Sequence, residues 1–284
     1  LTIFDHDIGA GDFERFATVT GNNITLEGFM MSGYDFGAEA FGLLIDGATG
    51  LTITDVLADD SRAGGGSSTI LIKNGAEVNL SGGGANCNSP GSIAGGGVNI
   101  IGNGNIVNFD NYSFSNNFKA VQGGSGLYIV GDATTIVTVT NSIFADNRNT
   151  SGTGGAAIFV SGSELNISHT CFNNNTTNSG SGPKYGGAIC VGRGANVSIA
   201  NCSFNNNSVS NTGNGGAIAI NTSYSGSGSA AVVNVDSSSF SGNSATGEGS
   251  DLYARVGSSN PATFNINECS FSGTSEDIRE DNTA

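Results

Sequence analysis

The chain has 284 residues, with 24 acidic and 9 basic side chains, a formal net charge of −15 and a pI near 4.1. Because phosphate binding needs clustered Lys and Arg, this balance argues against a nucleic-acid partner. The 46 glycines and 3 prolines show no collagen period, so they indicate a chain that turns sharply at short intervals. No run of about 18 apolar residues occurs, and we therefore expect no transmembrane helix.

In chain order, residues 1–20 have no regular pattern, and we expect them to form an irregular cap. The sequence begins at Leu1 without a signal peptide, which suggests a processed piece of a longer protein. From residue 21 to residue 274 two apolar phrases repeat in step. The first, as in Ile158-Phe159-Val160, recurs every 27 to 34 residues, and the second, as in Val197-Ser198-Ile199, alternates apolar and polar residues. Residues 275–284 are polar and acidic, and we expect a loose tail.

Strict alternation of apolar and polar residues predicts short strands with one buried face. Two strands in each period predict stacked coils, because a single coil cannot bury its own apolar face. The second phrase occurs nine times. The predicted fold is therefore an all-β, right-handed parallel β-helix of about nine coils with two or three strands each, its hand following the usual crossover preference.

A third phrase, Phe-x-x-Asn, closes most of the later coils. We expect its aromatic rings to stack inside the coils, at Phe114, Phe144, Phe172, Phe204, Phe240 and Phe271. The phrase also predicts a ladder of turn residues at Asn117, Asn147, Asn175, Asn207 and Asn243. Asparagine suits such a ladder, because it tolerates left-handed backbone geometry and its amide can bond to the coils above and below.

The pairing of Phe-x-x-Asn with a Gly-Gly-Ala-aliphatic motif resembles the repeats of chlamydial polymorphic outer-membrane proteins. The motif occurs as Gly186-Gly187-Ala188-Ile189 and Gly215-Gly216-Ala217-Ile218, and Gly155-Ala156-Ala157-Ile158 is close to it. The resemblance covers residues 95–274. It implies an exported, usually adhesive passenger of the autotransporter type on a bacterial surface, which in that family precedes a membrane β-barrel.

Two outward faces follow from the alternation of the two phrases. The second phrase predicts a polar ladder at Thr25, Thr52, Asn79, Asn108, Thr138, Asn166, Ser198, Asn234 and Asn265. The simplest interpretation of this ladder is an ordinary solvated sheet face. The alternatives are a face that binds glycans and a face that binds ice.

The first phrase directs a largely apolar stripe outward, at Leu44, Leu71, Asn99, Tyr128, Phe159, Cys190, Ala219 and Tyr253. A contiguous apolar stripe on a face exposed to water marks something packed against it. Two occupants remain open: a segment of the chain itself, or a protein partner such as a second copy. The candidate interaction residues are Leu44, Leu71, Tyr128, Phe159 and Tyr253.

The sequence gives little support for catalysis, and it predicts no cofactor. One local group of charged residues contains Asp55, Asp59, Asp60, Arg62 and Lys73, but Asp60 occupies a position of the turn ladder. Asp5-His6-Asp7 leaves metal binding undecided, and His169 has no catalytic partners in the sequence.

The five cysteines lack a CxxC pair, which disfavours zinc and redox motifs. Cys171 and Cys202 lie at similar heights on successive coils. The sequence is compatible both with a disulfide between them and with two free thiols.

These features together predict a non-enzymatic β-solenoid that acts as an extracellular surface adhesin or structural element. Its expected partners are a protein surface or another copy of itself, with glycans as a further option. Two alternatives remain: a β-helical polysaccharide lyase or glycoside hydrolase, and the subunit of a homopolymeric extracellular fibre or filament.

Overall fold

The computed structural model describes residues 15–32, 35–36, 41–59, 62–63, 68–90, 95–119, 123–150, 154–178, 184–222, 230–255, 261–273 and 278–281. Every regular element in these ranges is a β-strand, and all ladders are parallel. The predicted class, an all-β parallel β-solenoid, is confirmed. Each coil contributes one strand to each of three long sheets and, in most coils, a two-residue strand at a fourth position.

The first sheet has ten strands: Arg15–Val19, Phe41–Asp46, Ile70–Lys73, Val98–Ile101, Leu127–Val130, Ile158–Ser161, Ile189–Val191, Ile218–Asn221, Leu252–Arg255 and Ile278–Asp281. The second sheet has nine strands: Thr25–Glu27, Leu51–Thr54, Glu77–Ser81, Ile106–Asp110, Ile136–Thr140, Glu164–Ser168, Asn196–Ala200, Ala231–Asp236 and Ala262–Asn267.

The third sheet also has nine strands: Met30–Ser32, Leu57–Asp59, Gly84–Asn86, Ser113–Ser115, Ile143–Ala145, Cys171–Asn173, Ser203–Asn205, Ser239–Ser241 and Ser270–Ser272. The fourth position holds a three-stranded group, Asp35–Phe36, Arg62–Ala63 and Ser89–Pro90, and a five-stranded group, Phe118–Lys119, Arg148–Asn149, Thr176–Thr177, Ser208–Val209 and Ser244–Ala245.

The solenoid makes about seven turns, so the expected number of nine coils is slightly too high. The nine copies of the second phrase correspond to the nine strands of the second sheet. The irregular cap expected for residues 1–20 also needs correction, because residues 15–19 form the first strand of the first sheet. Similarly, Ile278–Asp281, within the expected loose tail, pairs in parallel with Leu252–Arg255.

The coils keep one register, in which equivalent residues of successive coils are paired. In the second sheet, for example, Val78, Val107 and Val137 are neighbours. Because side chains alternate along a strand, this register places one apolar column above another and forms a single continuous core. The second sheet shows the alternation most clearly, with a buried, half-buried, buried, half-buried pattern in Leu51–Thr54.

The Phe residues of the third phrase form a stack in this core. Ring centroids of successive coils are 4.4–5.0 Å apart and the ring planes differ by only 2–9° from Phe114 to Phe271. The rings from Phe114 to Phe240 are buried, whereas Phe271 in the last coil is half-buried. The close vertical spacing follows from the strand spacing of about 4.8 Å in a parallel sheet.

The Asn residues of the third phrase form a second, fully buried column. Each side-chain oxygen accepts bonds from the backbone N–H and the amide of the preceding coil, as Asn175 Oδ1 does from Asn147 at 3.2 and 2.9 Å. Each amide also donates to a carbonyl oxygen, as Asn175 does to Phe144 at 3.0 Å. The left-handed backbone expected for this column lies one residue earlier, at Asn116, Asp146, Asn174 and Asn206.

The ladder contains a sixth member that the sequence pattern missed. Asn88 donates its amide to Asn117 Oδ1 at 3.0 Å, although its coil has Ala85 in place of the Phe. At the other end Asn243 has no following Asn, because residue 274 is Thr. Its amide donates instead to Asp251 Oδ1 at 2.7 Å, so a buried carboxylate terminates the column.

Candidate functional site

The outward ladder of the second sheet is a regular polar surface that runs along all nine strands of that sheet. Its central residues, Thr25, Thr52, Asn79, Asn108, Thr138, Asn166, Ser198, Asn234 and Asn265, are half-buried or exposed and stand one above another. Where two Asn residues are adjacent, their side chains bond directly. Asn108 donates to Asn79 Oδ1 at 2.9 Å, and Asn265 donates to Asn234 Oδ1 at 2.8 Å.

A second outward column borders the ladder and contains three carboxylates, Glu27, Asp110 and Asp236, and the two aspartates accept side-chain hydrogen bonds. Asp110 accepts bonds from Thr140 at 2.7 Å and Asn141 at 2.8 Å, and the bond from Thr140 is the largest cause that lowers its pKa. Asp236 accepts a bond from Asn267 at 2.7 Å. Both aspartates are therefore held in place by uncharged neighbours, which fixes the polar groups of this face without a salt bridge.

A shallow notch interrupts the face at Ser198 and Ala200. These small residues lie between the larger polar side chains of Asn166 in the preceding coil and of Asn234 and Asp236 in the following coil. Ile167 and Ile199 also line the notch, although their side chains are buried. The notch is thus a shallow depression whose accessible lining is mostly apolar, with amide, hydroxyl and carboxylate side chains among its lining residues.

The apolar stripe of the first sheet is not exposed, which corrects the sequence prediction. Leu44, Leu71, Phe159 and Tyr253 are buried, and only Tyr128 remains half-buried. Asn99, Cys190 and Ala219 of the same stripe are fully buried as well. The side chains do point away from the main core, but they lie beneath other parts of the chain.

The later part of the stripe forms a second, smaller core. Phe159, Cys190, Ala219 and Tyr253 pack with Tyr185, which belongs to the turn before the first-sheet strand Ile189–Val191. The Tyr185 ring lies 6.1 Å from that of Tyr253, and its hydroxyl accepts a bond from Arg255 at 2.8 Å. The chain itself therefore supplies at least part of the stripe's cover, so the stripe is not a free interaction surface.

The charged residues that had suggested catalysis do not come together. Lys73 lies in the first sheet and pairs with Asp46, with the Nζ and Oδ2 atoms 3.2 Å apart. Asp55 occupies a left-handed corner between the second and third sheets, and Asp59 lies in the third sheet. Asp60 and the Asp5-His6-Asp7 segment lie outside the described residues, as does the Arg62 side chain.

His169 occupies the same corner column as Asp55, with a left-handed backbone at φ 50°. Asn111, Asn141 and Asn201 take the same conformation in neighbouring coils. A turn position that recurs in coil after coil, and is filled by several residue types, explains His169 without a catalytic role.

The five cysteines are free thiols. Cys171 is exposed on the third sheet, opposite Ser203, whereas Cys202 is buried one position earlier. Cys202 occupies a column of hydroxyl residues: its thiol donates to the Ala200 carbonyl at 3.2 Å, as Ser238 does to Asp236 at 2.8 Å. Burial raises the pKa of Cys202 to about 11. The thiol therefore replaces a structural hydroxyl group.

Two general properties complete the description of the surface. Within the described ranges, no three His, Cys, Asp or Glu residues are grouped closely enough to hold a metal ion. The same part of the chain contains no helix that is long and apolar enough to cross a bilayer.

Comparisons with protein-family models, with curated proteins and with solved structures found no match to this chain.

Proposed function

We propose that the chain is a non-enzymatic, extracellular β-solenoid that serves as a surface adhesin or structural element, with the outward face of the second sheet as its contact surface. The observation that carries this proposal is the polar ladder along all nine strands of that sheet. Its central column consists entirely of amide and hydroxyl side chains.

Such a face suits repeated weak contacts. Equivalent groups recur about every 4.8 Å along the stack, because each coil adds one strand. Every inner strand is paired on both sides, so the array is held in a fixed register. Several weak contacts made by one rigid array strengthen each other, because the second contact becomes intramolecular once the first has formed.

The charge and the repeat resemblance support the same proposal. A net charge of −15 disfavours strongly anionic partners and leaves neutral glycans and protein surfaces as the fitting ones. The likeness of residues 95–274 to polymorphic outer-membrane protein repeats supports export and a passenger-like role. On the same footing we take the coils to be right-handed, as nearly all parallel crossovers are.

The two alternatives have less support. For a lyase or glycoside hydrolase, the positions of Lys73, Asp55 and Asp59 on different sheets and corners do not form an acid–base pair. For a fibre, the apolar stripe is already buried. At the first described coil the inward residues Leu26 and Met31 are also buried, so they offer no apolar surface for a head-to-tail contact.

The proposal is tested with a printed array of neutral and acidic glycans and with adherent cells. We expect the chain to bind, and the double variant Thr52→Glu/Thr138→Glu to lose at least about tenfold in apparent affinity by charging the face. Ala145→Glu/Ser241→Glu on the outward side of the third sheet is the matched control and should bind like the parent. Equal loss in both variants would overturn the assignment of the face, and polysaccharide turnover would favour the enzyme. Electron microscopy that shows filaments of the purified chain would favour the fibre.

A further inference from the structure

The notch in the second sheet is a depression where the polar ladder carries a short side chain, Ser198, with Ala200 beside it. Asn166, Ser198 and Asn234 are paired neighbours in three successive coils. Beside them Ser168, Ala200 and Asp236 are paired in the same way. Because Ser198 and Ala200 are short, Asn166 lies across the notch from Asn234 and Asp236 at about two strand spacings, near 9.6 Å.

The described residues of the ladder form direct amide bonds at two of its steps, and Ser198 belongs to neither. Direct amide-to-amide bonds link Asn79 with Asn108, and Asn234 with Asn265. Ser198 is too short to continue this pattern, and within the described residues no side-chain hydrogen bond joins it to Asn166 or Asn234. Polar groups that bond to each other elsewhere on the face are therefore available to a ligand at this point.

The walls of the notch are oriented by their own neighbours. The Asn234 oxygen accepts the bond from Asn265, which leaves its NH₂ group as a donor. The Asn166 amide donates to Glu164 Oε1 at 2.8 Å, which leaves its carbonyl oxygen as an acceptor. Asp236 Oδ1 is held by Asn267, and its second carboxylate oxygen remains an acceptor. One donor and two acceptors thus surround the Ser198 hydroxyl.

We propose that this notch binds a single neutral pyranose residue of a glycan. Adjacent ring hydroxyls both donate and accept hydrogen bonds, so one pair can accept from Asn234 and donate to Asp236, while a further hydroxyl donates to Asn166. Acidic sugars are disfavoured, because their carboxylate would lie close to the carboxylate of Asp236. The inference rests on the adhesive function proposed above for the same face and specifies its ligand.

The test measures saturation-transfer NMR on the purified chain with methyl glycosides of mannose, galactose and glucose, and with a methyl glucuronide, each at about 10 mM, a concentration that detects millimolar affinity. We expect at least one neutral glycoside to give a signal and the glucuronide to give none. Ser198→Asn restores the amide column and fills the gap, and it should reduce the signal at least about tenfold. Ala145→Asn introduces an amide on the outward side of the third sheet, outside the proposed contact face, and should leave the signal unchanged.

Asp236→Asn is a second variant that keeps the shape of the notch. It should weaken neutral glycosides and reduce the discrimination against the glucuronide, because the repelling charge is removed. Thermal melting of each variant confirms folding. Absence of any neutral-glycoside signal, or a signal unaffected by Ser198→Asn in a folded protein, would overturn the proposal. Adhesion that persists in Ser198→Asn without glycoside binding would refute the notch alone, whereas glycoside binding without adhesion would refute the adhesive function.

Discussion

Three consecutive asparagines of one turn, Asn173, Asn174 and Asn175, should respond very differently to substitution. Asn175 is fully buried, Asn174 has a left-handed backbone with φ 56°, and Asn173 is half-buried on the outward face of the third sheet. Because the three residues are chemically identical and adjacent, their differences report the structural position alone. We therefore compare single substitutions at each position.

The expected magnitude at Asn175 comes from its four hydrogen bonds. It accepts from the Asn147 backbone and amide, and it donates to the Phe144 carbonyl and to Asn207 Oδ1. With about 0.5–1.5 kcal/mol for each bond, Asn175→Ala should lower the free energy of unfolding by about 2–6 kcal/mol. Its buried former partners have no access to water, which places the result towards the upper part of this range.

The neighbouring positions supply the controls. Asn173 accepts a single side-chain bond from Asn205 at 3.0 Å, so Asn173→Ala should cost less than about 1 kcal/mol. Asn174→Gly should be nearly neutral, because glycine adopts positive φ without strain, whereas Asn174→Val should destabilise by about 1–2 kcal/mol.

The assay is chemical denaturation followed by circular dichroism, with the slope of the transition checked for each variant, because a solenoid can unfold in parts. The reasoning would be refuted if Asn175→Ala and Asn173→Ala had similar costs, or if the Asn175 variant lost less than about 1 kcal/mol.

Three further predictions test the core, the cysteines and the covered stripe. Phe172→Ala should lower the free energy of unfolding by about 3–5 kcal/mol, because the Phe172 ring is buried between two stacked rings. Phe271 is half-buried and has one stacking partner, so Phe271→Ala should cost less than half as much in the same denaturation assay. Burial raises the pKa of Cys202 from 9.0 to about 11, so the thiol ionises at lower pH in the unfolded chain than in the folded one. The free energy of unfolding should therefore fall as pH rises from 9 to 11. Cys202→Ser should reduce this loss in pH-dependent melting, and an unchanged profile would contradict the assignment. Asn99→Leu should raise the free energy of unfolding by about 1 kcal/mol. Both polar atoms of the Asn99 side chain are buried without a hydrogen-bond partner among the described residues. A destabilised variant would count against this account.

Much of the fold follows from local rules that the sequence displays directly. Alternation places Val78 and Leu80 inward and Asn79 outward, and a fixed repeat then requires equivalent residues to be stacked. The stacking of Phe144 on Phe172 follows from the same register. The strand Arg15–Val19 pairs with the first copy of the first phrase, Ala17 with Leu43 and Val19 with Ile45. Its Ala-Thr-Val sequence is only weakly apolar, so the pattern gave a weak signal there.

The apolar stripe shows where a period-two rule fails. Alternation correctly separated Phe159 and Tyr253 from the main core, but it cannot distinguish a side chain in water from one beneath another segment. That distinction depends on the turns between coils, whose lengths vary and whose packing is non-local. Tyr185, which packs in this second core, lies in such a turn and shares no position with the repeated phrases. An aromatic residue in a polar, glycine-rich turn was the available signal.

Two interruptions of polar columns show how the solenoid treats a missing partner. In the buried ladder, Asn243 lacks a following Asn, and Asp251 supplies the missing acceptor at 2.7 Å. Asp251 stands where the preceding coils have Ala217 and Ala188, so the residue departs from the repeat just where the ladder ends. A buried amide without a partner is costly, and the sequence compensates for it.

The outward column is interrupted at Ser198 without such compensation. Neither neighbour of Ser198 is replaced by a longer group, and Ala200 beside it is also small. On a wetted face the cost of a broken ladder is small, since water satisfies the exposed groups, so stability does not require the gap to be filled. An uncompensated gap bordered by oriented amides and a carboxylate is therefore best explained by binding of the proposed pyranose residue. Ser198→Asn tests this explanation directly. If that substitution raises the melting temperature while it abolishes glycoside binding, the gap costs stability and serves recognition.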